Sequence, residues 1–101
     1  MNDQNKILIC GRLGKDPELK YTSKQEAVCN FTLAENVEGE DNPIWHRGVV
    51  WGKQAEQCKV HLRKGRFVFV HGQNKRSSYT TRNGLTRNGI ELKAYQIGIS
   101  L

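Results

Sequence analysis

Apolar and polar residues alternate along most of this chain with the period of two that marks half-buried β-strands. From Ala27 to Glu35, Val28, Asn30, Thr32 and Ala34 alternate with Cys29, Phe31 and Leu33, so a strand there has one clearly apolar face. Lys6 to Leu13 is a denser apolar run with β-branched members, stopped by Gly-Lys-Asp-Pro at residues 14 to 17; Gly11 inside it predicts a bend or bulge. Glu18 to Tyr21 can continue as a short extended piece. A third strand begins at Ile44 and carries both tryptophans before Gly52 breaks the pattern. Trp45 and Trp51 are an even number of positions apart, so their rings leave the same face of that strand unless a bulge near Gly48 breaks the parity. The period changes once, between Lys53 and Lys64, where Ala55, Cys58 and Leu62 recur at helical spacing, Arg63 and Lys64 suit the last turn, and Gly65 is the stop.

Phe67 to Gly72 is apolar on both parities, which predicts a fourth strand covered on both faces. If Val68 and Val70 point inward, Phe67, Phe69 and His71 point outward and form an apolar patch that needs a cover. A second copy of the chain is the expected cover, with Lys6 grouped at the same interface; packing of the helix on that face is the alternative. Gln73 to Tyr79 extends the strand into a polar, basic arm. Asn83-Gly84 and Asn88-Gly89 predict turns in a loop bearing Arg82 and Arg87, and Ile90 to Ile99 forms a fifth strand. Asn36 to Pro43, with Glu38, Glu40 and Asp41, reads as an exposed acidic loop. The result is an all-β chain with one short helix between strands three and four. That is the element order of an OB-fold, a five-stranded Greek-key barrel, in a single domain spanning residues 1–101.

Charge narrows the class of partner. The 101 residues carry a net charge of +6, which favours an anionic partner, nucleic acid ahead of a membrane surface. No apolar run is long enough to span a bilayer and the N-terminus lacks the regions of a signal peptide, so a cytoplasmic protein is expected. Cys10, Cys29 and Cys58 are odd in number and widely spaced, and read as reduced, mostly buried thiols. Cys58 and His61 have ligand-like spacing, yet no second pair completes a tetrahedral site; no metal and no cofactor is expected. An enzyme is not indicated, since the sequence supplies no phosphate-binding Gly loop, no paired carboxylates at a usable spacing and no nucleophile beside a base.

Specific motifs go further. Lys-Ile-Leu-Ile-Cys-Gly-Arg-Leu-Gly-Lys-Asp-Pro-Glu-Leu-Lys-Tyr-Thr is followed by Ala-Val-Cys-Asn-Phe-Thr-Leu-Ala, then Trp-His-Arg, Gly-Lys-Gln-Ala-Glu and Leu-Arg-Lys-Gly. In that order and spacing the chain resembles the bacterial single-stranded DNA-binding proteins from about Asn5 to Leu101. The resemblance implies an OB-fold protomer that forms dimers and commonly tetramers. It also implies binding of single-stranded DNA without sequence preference, in replication, recombination and repair, without catalysis and associated with the nucleoid. It implies Trp45, Trp51 and Tyr79 as base-stacking platforms, although relatives more often have Phe at the second position and Trp at the third. A further aromatic in the loop after strand two has no counterpart here. His46, turned to the opposite side from Trp45, falls where the family makes subunit contacts. The family's flexible extension and acidic tip are not present before Leu101, so partners recruited by such a tail are not expected for the chain as given.

A binder of single strands without sequence preference needs cations along a groove as well as rings beside it. Candidate phosphate contacts are Arg12, Lys15, Lys20, Arg47, Lys53, Lys75, Arg76, Arg82 and Arg87, although the ordinary role of any one Lys or Arg is a solvated surface charge. Two other readings compete. One is a tail-less primosome-type accessory OB-fold protein; the other is an interaction module that keeps the fold and has lost DNA binding, to which the acidic loop points.

Overall fold

The alternation of β3 is reproduced residue by residue: Ala27, Cys29, Phe31 and Leu33 are buried, and Val28, Asn30, Thr32 and Ala34 are not. The computed structural model describes residues 6–80 and 83–99; the side chains of Ser77, Tyr79, Thr80, Arg87 and Asn88 lie outside that description. Its elements are β1 (Lys6–Leu13), β2 (Glu18–Tyr21), β3 (Ala27–Glu35), β4 (Ile44–Trp51), α1 (Lys53–His61), β5 (Phe67–Thr80) and β6 (Thr86–Ile99). The strands lie in the order β1-β5-β6-β4-β3-β2, and β1 also pairs with β3. That extra pairing closes β1, β5, β6, β4 and β3 into a five-stranded barrel, with β2 added as the outer partner of β3. All pairings are antiparallel except β4 with β6. This is the OB-fold, with the helix between the fourth and fifth strands because Glu18–Tyr21 counts as a full strand.

The inward residues of the barrel, among them Leu33, Val50, Val68, Val70 and Leu92, form one core with Ala55, Cys58 and Leu62 from the helical segment. Burial of each Leu or Val contributes roughly 1.5 to 3 kcal/mol relative to exposure. Phe31 lies over Gly48 of the neighbouring strand, where any Cβ would collide with the ring. Cys29 and Cys58 meet in this core. The neighbouring Cys29 thiol, and after it burial, push the Cys58 thiol up, so it stays protonated. Cys10, by contrast, is exposed on β1.

Several boundaries differ from those the pattern predicts. The helix ends at His61, not Lys64, because tertiary hydrogen bonds capture the segment after it. Lys64 N–H donates to Asp16 Oδ1 at 2.7 Å, Gly65 N–H to the Leu13 carbonyl at 2.8 Å, and Leu13 N–H to the Arg66 carbonyl at 3.0 Å. Leu62 adopts extended geometry and still delivers its side chain to the core. Strand six starts at Thr86, since β5 and β6 stay paired out to Thr80 and Thr86; Asn88-Gly89 lies inside this ladder and is not a turn. Gly11 is neither bend nor bulge. It sits in an unbroken ladder with β5, and a Cβ there would meet the Ala34 backbone where β1 crosses to β3.

The irregularity occurs instead where His71 pairs Gln96 and Gly72 pairs Ala94, leaving Tyr95 out of register. Gln54 of α1 repairs the interrupted ladder: its Nε2 donates to the Tyr95 carbonyl at 2.6 Å and its Oε1 accepts from Ile97 N–H at 3.2 Å. Among the described residues no helix is long and apolar enough to cross a membrane.

Candidate nucleic-acid interface

The register of β3 with β4 runs without interruption from Val28 opposite Trp51 to Glu35 opposite Ile44. No bulge intervenes at Gly48, so Trp45, Arg47, Val49 and Trp51 share the outer face of the barrel, with Ala34, Thr32, Asn30 and Val28 beside them. The parity inferred from spacing is therefore preserved in the sheet. Burial in the core is not the fate of Trp45, which is 60% exposed. Its indole is seated on Gly14, where a Cβ would lie 2.5 Å from Cζ3, with Thr32 Oγ1 alongside. Trp51 is half-buried, and the Lys93 ammonium lies 5.4 Å from its ring centroid. A cation–π contact of this kind is worth about 0.5 to 1 kcal/mol at an exposed site.

Between the two rings Arg47 pairs in register with Glu91 of β6, which in turn pairs with Lys75 of β5. A groove across this face is lined by Lys15, Lys20, Asn30, Thr32, Arg47 and Glu91. Its neighbour, lined by Ile44, Trp45, Arg47, Asn74 and Ile90, continues along the β5–β6 arm. Lys15 is paired with Glu18 at 3.4 Å, both ends being more than half exposed. Such a surface pair is worth about 0 to 1 kcal/mol, so a phosphate can compete for the ammonium. The acidic loop joins β3 to β4 at the Trp45 end of the face.

The other candidates distribute as follows. Lys53 is exposed at the start of α1, beyond Trp51 and Gly52, whose positive φ of 71° makes the turn into the helix. Lys75 and Arg76 are exposed on the arm. Tyr79 and Arg87 pair with each other in the backbone ladder, but their side chains, like the whole of Arg82, lie outside the described residues. Arg12 is turned away from the groove: Nη1 donates to the Gly65 carbonyl at 3.0 Å and the guanidinium stands 5.6 Å from the Phe67 ring centroid.

A second surface lies on the outside of β1, β5 and β6. Val68 and Val70 are fully buried while Phe67 is 41% exposed and Phe69 and His71 are half-buried, as the alternation predicts. The helix packs on β2, β3 and β4. Leu8 and the displaced Tyr95 add to this surface; His71 meets Tyr95 edge-on at 6.1 Å, and Lys6 stands 5.7 Å from the same ring centroid. His46 is on inner-face parity at the barrel mouth, with Nε2 2.9 Å from Glu35 Oε1. In the single chain it therefore has an internal partner.

Three residues of these two surfaces are not marked out by the sequence. Lys93 is one cation among sixteen lysines and arginines until β6 lies beside β4; Gly14 looks like a loop glycine; and Tyr95 is put out of register by the bulge. A small closed barrel with tryptophans and cations on one outer face offers flat rings for stacking and positive charge beside them. The chain belongs to the single-strand binding protein family, whose model matches residues 4–100. It is 32% identical over 100 residues to the single-stranded DNA-binding protein of Neisseria meningitidis serogroup A, covering 92% of this chain and 58% of the relative. It is 40% identical over 98 residues to single-stranded DNA-binding protein 2 of Clostridium acetobutylicum, covering 92% of this chain and 74% of that protein. Against single-stranded DNA-binding protein 1 of Chlorobaculum tepidum the identity is 40% over 83 residues, covering 74% of this chain and 51% of that one. The chain thus spans little more than half the length of two of these three relatives.

Proposed function

We propose that this protein binds single-stranded DNA without sequence preference along the outer face of β3, β4 and β6 and the β5–β6 arm. The observation that carries the reading is Trp45 and Trp51 on one face with Arg47 between them. Exposed bases stack on aromatic rings whatever their identity, and cations follow the backbone. A duplex keeps its bases inside and offers these rings nothing to stack on. The relatives' names, which speak of single-stranded DNA binding, support the binding itself. We read the role as binding without catalysis, in replication, recombination and repair, with the nucleoid in the cytoplasm.

In a gel shift, single-stranded DNA is expected to be retained at concentrations where duplex of the same sequence is not. The logarithm of affinity should fall with the logarithm of salt by about 0.7 for each phosphate neutralised. Equal affinity for duplex, or no change with salt, would remove the groove as the site. No retention at all would favour the interaction-module reading, for which the acidic Glu38, Glu40 and Asp41 in the loop that leads into β4 are the supporting feature.

We further infer that a second copy covers the outer face of β1 and β5, where Leu8, Phe67, Phe69 and His71 would otherwise meet water, with Lys6 at its rim and His46 near a further contact. Light scattering at micromolar concentration should give the mass of a dimer or tetramer; the mass of one chain would reject the interface.

A further inference from the structure

We propose that Lys93 and Trp51 form one two-part subsite, in which the indole takes a base and the Lys93 ammonium takes the adjoining phosphate. The proposal rests on the single-strand binding reading and assigns it a cation that sequence reasoning did not single out. Lys93 stands on β6 between Val49 of β4 and Gln73 of β5, two uncharged register partners. Among the described residues its ammonium makes no ion pair. What it faces is the Trp51 ring, at 5.4 Å. On the other side of that ring, Trp51 pairs with Val28, and Val28 with Lys20 of β2. The ring is therefore flanked along the sheet by one lysine from β2 and one from β6.

This arrangement has two consequences in the free protein. The ammonium restrains a large ring that is only half-buried, and it places a positive charge where an anion approaching the ring arrives first. A cation–π contact at a partly exposed site is weaker than a base stack, so a base that wants the covered face can displace the ammonium. The four-carbon stem lets the displaced charge move to the phosphate of the nucleotide just stacked. Attraction to the ring is exchanged for attraction to the strand, and the charge is never left without a partner. Arg47, in the next row, stands opposite Glu91 in the register of β4 with β6.

Two measurements test the proposal. Binding of a labelled single-stranded oligonucleotide is followed against salt for the unaltered chain, Lys93→Met and Lys93→Arg. Lys93→Met keeps the apolar stem and is expected to flatten the slope by about 0.7. It should also weaken binding at low salt about twofold to fivefold. Lys93→Arg should keep the slope. Separately, in a Trp45→Phe background Trp51 is the only indole, and its fluorescence is quenched by iodide and by neutral acrylamide without DNA. Lys93→Met should lower the ratio of iodide to acrylamide quenching, because iodide is no longer drawn to the ring, and Lys93→Arg should not. An unchanged salt slope in Lys93→Met, or an unchanged quenching ratio, overturns the proposal. If the unaltered chain does not bind single strands at low salt, the binding reading falls and this subsite with it. A chain that binds with the same slope with and without the Lys93 charge removes Lys93 alone.

Discussion

Trp45→Ala is expected to weaken binding to a single-stranded oligonucleotide about fivefold to 150-fold while leaving the melting temperature nearly unchanged. The range is a base stack of about 1 to 3 kcal/mol converted at 1.4 kcal/mol per tenfold. The stability half follows from exposure: substitutions of surface residues stay mostly within about 0.5 kcal/mol. Trp45 projects from the barrel and rests on Gly14 and Thr32 instead of filling the core. Gly14→Val makes a sharper version of the same test, because it leaves the ring intact and takes away its seat. Its loss of affinity should approach that of Trp45→Ala. Trp51→Ala should lose affinity in the same range, with more cost to stability because that ring is half-buried. Fluorescence anisotropy titrations at fixed salt measure the affinities. Unchanged affinity in both tryptophan variants would deny the face any role in stacking.

Phe31→Ala should do the reverse, destabilising the fold by about 3 to 5 kcal/mol. That is a large part of the 5 to 15 kcal/mol by which a domain is typically stable. Phe31 is 2% exposed and its ring fills the space left by the missing side chain of Gly48, so the cavity would open between β3 and β4 in the middle of the barrel. Urea unfolding at one protein concentration, held fixed because an oligomer melts in a concentration-dependent way, gives the value. The milder Phe31→Leu should lose less stability and keep the affinity of the folded protein. A midpoint unchanged by Phe31→Ala would place that ring outside the load of the core, against its position over Gly48. Taken with the tryptophans, this pair of results separates rings that hold the barrel from rings that meet the strand.

Much of the fold was legible in the chain because a β-strand writes its two faces into alternate positions. The alternation of Ala27–Glu35 and the even offset of Trp45 and Trp51 are local, and a β3–β4 register without bulges preserves them. Val68 and Val70 against Phe67, Phe69 and His71 were separable for the same reason. The failures are all places where a distant segment outbids a local preference. Residues 62–66 leave the helix because Leu13 and Asp16 offer them hydrogen bonds. Asn88-Gly89 gives up its turn because β5 is there to pair with it. Glu18 to Tyr21 is extended as the sequence allows, and it becomes a strand in its own right because β3 offers it an edge to pair with.

The site divides in the same way. From the sequence alone came the strands, the two tryptophans on one face, the basic arm and the apolar patch, because each depends on residue type and spacing within one element; the barrel class followed from the order of those elements along the chain. Only the tertiary structure decided that Gly14 seats Trp45, that Lys93 stands over Trp51, that Tyr95 is pushed to the surface by a bulge and that Arg12 is turned toward Phe67. These depend on which strands become neighbours and at what register, above all on the parallel pairing of β4 with β6. That pairing joins segments about forty residues apart, and no periodicity within either of them encodes it.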